Sequence, residues 1–79
     1  MPLYYFDIVD GARRADLDGT ECATLDEARL QAIRFAGELL RYHADAIWEG
    51  HDLRVEVSNG ARTPLFLVAV SATSLFPDS

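Results

Sequence analysis

An α+β fold, a small antiparallel sheet of order β-β-α-β-β with one long helix packed across one face, follows from three features of this chain. Residues 24–49 hold an unbroken helical pattern opened by Thr24-x-x-Glu27, a capping box in which each side chain can satisfy an orphan backbone N–H. Leu53 to Ser58 alternates apolar and polar with period two, and Asn59-Gly60 then turns the chain into the apolar run Leu65 to Val70. Leu3 to Val9 is rich in aromatic and β-branched residues, as strands prefer. Short strands joined by tight connections build one layer of sheet and one of helix.

The first strand, Leu3 to Val9, sets Tyr4, Phe6 and Ile8 on one face and Tyr5, Asp7 and Val9 on the other. Asp10-Gly11 ends it with a turn. Arg13 to Glu21 is polar, with a second turn at Asp18-Gly19, and a short strand around Thr20 to Ala23 is predicted to return antiparallel to the first. The helix follows. At 100° per residue, Leu25, Ala28, Ala32, Phe35, Ala36, Leu39, His43, Ala46 and Ile47 share one face, and Leu30, Ile33, Gly37, Leu40 and Ala44 continue round the side. Together they cover roughly 200°, twice the stripe of about 100° that a surface helix needs. Its polar face offers Arg34/Glu38, Glu38/Arg41 and Arg41/Asp45 at ion-pair spacing. Gly50 suits the left-handed stop after the last turn.

In the third strand Leu53, Val55 and Val57 point inward, and Asn59-Gly60 is the signature of a two-residue type I′ hairpin. The fourth strand is apolar on both faces. Phe66, Val68 and Val70 can join the core, which leaves Leu65, Leu67 and Ala69 on the far side. Residues 1–71 form a single domain and 72–79 a tail, in which Leu75 and Phe76 are available to dock in trans.

A chain of 79 residues buries only about 60% of its unfolded surface, so a small domain gains from disulfides, metal or oligomerisation. One cysteine, Cys22, rules out an internal disulfide. The surplus helical arc and the two-faced last strand therefore point to a homodimer, with Leu30, Ile33, Leu40, Ala44, Trp48, Leu65 and Leu67 as candidate interface residues. Thirteen acidic against seven basic residues, all arginine, give a net charge of −6. Phosphate repels such a surface, so nucleic acid and anionic membrane are not expected partners. The start shows no basic segment followed by an apolar one, and no run nears the ~20 apolar residues of a membrane helix. A cytoplasmic location is expected.

Chemical signatures are sparse. Asp16-Leu17-Asp18-Gly19 resembles the centre of a calcium loop, but Arg14 and Leu25 then occupy the first and last ligand positions. A polar turn capped by aspartate side chains is the better reading. His43 and His51, eight apart, match no compact metal-ligand spacing. His43 lies within the apolar arc, as a hydrogen-bonded core or interface histidine would, and becomes pH-sensitive if a charged group faces it. Tyr42 beside it is the other candidate for a small-ligand pocket. Cys22 reads as a plain small residue. No convergent nucleophile and base stand out, so no enzymatic activity and no cofactor are expected.

The opening Met1-Pro2-x-Tyr4-Tyr5-Phe6, the Asp10-Gly11 turn, Asp16-x-x-Gly19-Thr20-Glu21, and Thr24-Leu25-Asp26-Glu27-Ala28-Arg29 leading a long helix resemble the domain of unknown function 6894 family. These are small, mainly alphaproteobacterial proteins, and the Gly50-x-Asp52-Leu53 passage fits them too. The resemblance runs from Met1 to about Ser71 and implies no activity, cofactor or catalytic residue. A looser similarity links Thr24 to Ala28 with a T-L-E-E-A-like phrase of HicB-type antitoxins, although no DNA-binding segment follows here. The function expected is that of a non-enzymatic, self-associating interaction or regulatory module. Two alternatives are an antitoxin-like protein that binds a basic toxin, and a small-molecule or metal-binding domain.

Overall fold

Why one helix can close this sheet is written in three alanines. Ala28, Ala32 and Ala36, one turn apart, are fully buried and let α1 (Leu25–Trp48) lie close against the strands. The computed structural model describes residues 1–76. It contains β1 (Leu3–Val9), β2 (Arg13–Arg14), β3 (Thr20–Glu21), β4 (Leu53–Asn59) and β5 (Pro64–Val70) in one antiparallel sheet. The order across it is β2-β1-β4-β5, with β3 also pairing β1. The expected α+β architecture is therefore present, with one strand more than the sequence indicated. Of the expected tail, 72–79, residues 77–79 lie outside the described residues.

Leu53, Val55 and Val57 of β4 are the most deeply buried strand residues, and Val55 and Val57 meet Tyr4 and Phe6 of β1 beneath the helix. Phe35, Leu39, Phe66 and Val68 close the sides of this core, only partly covered. Leu25, expected on the buried face, is exposed, because the first helical turn overhangs the sheet's end. α1 lies across β4 and β5 rather than over the middle of the sheet.

Both helix ends follow local rules. Thr24 Oγ1 accepts from the Glu27 N–H at 3.1 Å, and Glu27 returns to the Ala23 N–H at 3.1 Å, one residue before the cap. At the far end Gly50, with φ of +92°, bonds Ile47 O, and His51 N–H bonds Ala46 O. This is a Schellman motif, and it turns the chain straight into β4. Among the described residues the ion pair within the helix is Asp26–Arg29 at 3.0 Å, not one of the three predicted on its polar face. Those longer side chains stay in water, where such pairs contribute little.

The β4–β5 turn corrects the type I′ expectation. Arg62 N–H bonds Asn59 O, Asn59 N–H bonds Thr63 O, and the positive φ (64°) falls on Arg62 rather than on Gly60. The loop is a type I turn followed by a left-handed residue. The Asn59 side chain favours it by accepting from Ala61 and Thr63 N–H, both at 3.0 Å. Arg62 is held there by the far side of the sheet. Its guanidinium stacks 3.6 Å from the Tyr5 ring centroid and bonds Asp7 at 3.3 Å.

Candidate functional site

Three places bring chemistry-bearing residues together: the β1 edge loop, the His43 cluster, and the flank formed by β5 and the adjoining side of α1.

At the β1 edge the sequence 13–21 is not a plain loop. Arg13–Arg14 pairs Val9 and Ile8, Thr20–Glu21 pairs Tyr4 and Leu3, and the chain between them bulges away. That leaves the Phe6 N–H facing the gap, and Asp16 Oδ2 accepts it at 3.1 Å. Asp16 Oδ1 also accepts from Asp18 and Gly19 N–H, at 3.1 and 3.0 Å, while Asp7 Oδ1 accepts the Asp16 N–H at 2.8 Å. Burial alone would raise the Asp16 carboxyl. The backbone donors of Gly19, Phe6 and Asp18, with the charge of Arg62, outweigh it and hold the group below its ordinary value. The turn thus engages the Asp7 and Asp16 carboxylates in structural bonds. Among the described residues no group of three or more His, Cys, Asp and Glu is placed to hold a metal ion.

His43 Nε2 lies 2.6 Å from Asp10 Oδ2, and Nδ1 lies 2.7 Å from Leu39 O. Arg14 bonds the same Asp10 oxygen at 3.0 Å. The Asp10 side chain is only 6% exposed. Burial pushes its carboxyl up, but the His43 hydrogen bond, the charges of Arg14 and His43, and the Ala12 backbone bring it below the ordinary value. The histidine that sequence placed on the apolar arc is therefore a clasp between the helix and the end of β1. Asp10 and Arg14, which complete it, were missed because nothing local marks them. Tyr42, grouped with His43 as a pocket candidate, stands 84% exposed. His51 rests on Gly11, where an added Cβ would come within 2.7 Å of its ring. Cys22 is buried just after β3, and burial, with the Glu27 charge, raises its thiol.

A groove of about 400 Å³ lies between α1 and the β1 edge, with Phe6, Ile8 and Phe35 as its floor and Arg14, Asp16 and Gln31 on its rim. Two of its polar rim residues are already committed, Arg14 to Asp10 and Asp16 to backbone.

On the face opposite the helix, β1 and β4 are charged. Asp7 and Glu56 stand directly opposite each other, and Arg13 pairs with both. Such like-charged neighbours are unfavourable unless a cation sits between them. The same face of β5 is apolar, with Leu65 and Leu67 at 42% and 50% exposed. Of the helical candidates, Leu30 and Ile33 are more than half exposed, Ala44 and Trp48 are exposed, and Leu40 is half-buried. The sheet's two edges differ sharply. One is broken into two-residue strands carrying Arg13, Arg14 and Glu21. The other is β5, seven residues, Pro-Leu-Phe-Leu-Val-Ala-Val, without a charge.

Among the described residues no helix is long and apolar enough to cross a membrane. The model of one protein family, DUF6894 (domain of unknown function), matches residues 3–71. The chain matches no curated protein and no solved structure.

Proposed function

The chain belongs to the DUF6894 family, and we propose that it serves as a small, non-catalytic association module that pairs with a second copy of itself through the free edge of β5. The observation that carries this reading is the contrast between the two edges. Unpaired strand edges are templates for another strand, and monomeric proteins blunt them with short strands, charges or bulges. The β1 edge has all three devices, whereas β5 has only Pro64 at its first position, where proline interferes least. Apolar residues on both faces of β5 add burial to the backbone pairing. A net charge of −6 supports a protein partner over nucleic acid or an anionic membrane.

Light scattering after size exclusion, over a dilution series, tests this. The expected mass is twice the 8.8 kDa of one chain, persisting at micromolar concentration. Leu67→Lys, on the exposed face of β5, should return the mass to a single chain without changing the far-UV circular dichroism. A wild-type protein that stays monomeric at hundreds of micromolar would sink the reading.

A further inference from the structure

The side of α1 away from the β1 edge carries a pattern distinct from its buried face. Leu30, Ile33, Gly37, Leu40 and Ala44 recur at steps of three, four, three and four, the spacing of a two-helix seam. They are not the residues that face the sheet, which are Ala28, Ala32 and Ala36. Gly37 sits at their centre, and beyond its own stretch of helix backbone no heavy atom lies within 4 Å of where its Cβ would be. Glycine inside a helix weakens it, so its use at an open central position needs a reason, and close approach of another backbone is the usual one. The strip extends equally far to both sides of Gly37. Leu30 and Ala44 stand seven residues either side of Gly37, with Ile33 and Leu40 between.

Its position matches the β5 edge. Gln31 and Phe35 line the groove with Ile8 and Arg14, so that side of α1 faces β1. The strip, on the other side of the buried alanines, faces the free edge of β5. Along the strands, Asp7, Glu56 and Leu67 form one row across the sheet. Phe35 lies by Phe6 and Ile8, over that row, and Gly37 follows two residues on, about 3 Å further along the axis. A two-fold axis through Leu67 therefore passes beside Gly37.

We propose that two copies of this chain join β5 to β5 in antiparallel register about Leu67, and that the same two-fold axis packs their helices through Leu30, Ile33, Gly37, Leu40 and Ala44. This rests on the self-association proposed above and adds a second surface to it. Strand spacing makes the two compatible. A helix centred over the β4–β5 gap lies about 4.8 Å from an axis midway between paired β5 strands, which sets the two helices roughly 9.6 Å apart. Packed helices lie about 8–10 Å apart. In this arrangement Leu30 meets Ala44 of the other copy, Ile33 meets Leu40, and glycine faces glycine at the closest approach. Arg34 and Arg41 flank the strip on its wet side and approach each other across it. Salt of about 0.15 M, which screens exposed charges beyond some 8 Å, should therefore favour the dimer.

Cysteine cross-linking separates this geometry from self-association in general. On the axis, Leu67→Cys faces its own copy at a Cα separation of about 4.5–5.5 Å, within disulfide reach. Oxidation should link most of the protein. Leu65→Cys alone should not link, because Leu65 faces Ala69, while Leu65→Cys with Ala69→Cys should. Native Cys22 is buried and should not contribute. Gly37→Arg, checked by circular dichroism to be folded, should weaken association at least tenfold. Dimers that link through Leu65→Cys but not Leu67→Cys, or that tolerate Gly37→Arg unchanged, would overturn the two-fold arrangement while leaving self-association standing. Monomeric wild-type protein would overturn both.

Discussion

Asp16 does at the sheet edge what a neighbouring strand ordinarily does. Its carboxylate takes the Phe6 N–H that the break between β2 and β3 leaves without a ladder partner. Removing the acceptor strands a donor in the backbone of a residue that is only 6% exposed. Asp16→Ala should therefore cost about 1–3 kcal/mol, read as a lower urea midpoint with an unchanged slope. Asp18→Ala, whose side chain is exposed and which lends the turn only its N–H, should cost far less. His43 works by similar means. Its two ring nitrogens lie within hydrogen-bond distance of Leu39 O and Asp10 Oδ2. One helical residue thereby fastens the last turns of α1 to the end of β1.

Elements form where local rules and long-range partners agree. β4 is the clearest case, for its inward residues are nearly inaccessible on a strand flanked by β1 and β5. Leu53→Ala should cost about 2–5 kcal/mol, measurable by thermal or urea unfolding, because helix and neighbouring strands can refill the void only in part. The same agreement explains what could be read from sequence. α1 and β4 carry a period of 3.6 or two residues, β1 and β5 are runs of aromatic, β-branched and apolar residues, and all four have local stops, so their bounds were legible to within a residue or two. β2 has two residues and no period; it exists because β1 is there to pair with. The hairpin turn was misread because Arg62 is held by Tyr5 and by Asp7, 55 residues earlier in the chain. Asp10, the partner of His43, is 33 residues from it and equally invisible. The exposed side of α1 was legible, because the angular excess of apolar residues needs no knowledge of the sheet.

At the scale of the whole molecule the core is small and acid should expose that. Among the described residues ten apolar ones are buried, and the fold leans on carboxylates for the rest. Asp10 and Asp16 both have folded-state values below the ordinary one, so the unfolded chain takes up their protons first as pH falls. Their contribution is whole above the unfolded carboxylate value of about 3.9 and is lost as pH falls through the lowered folded values. The urea midpoint should hold steady from pH 7 to about pH 5 and drop steeply below about pH 4. A curve flat down to pH 2 would mean that neither carboxylate is held as described.

The unequal borders of the sheet also decide how far growth can go. A particle with two pairable borders behaves as a bifunctional unit in a step-growth reaction and extends into fibrils. Here the Arg13, Arg14 and Glu21 border is a terminated end, so the chain is monofunctional. In the pairing proposed above, joining at β5 would use up its one pairable border, and growth would stop at two.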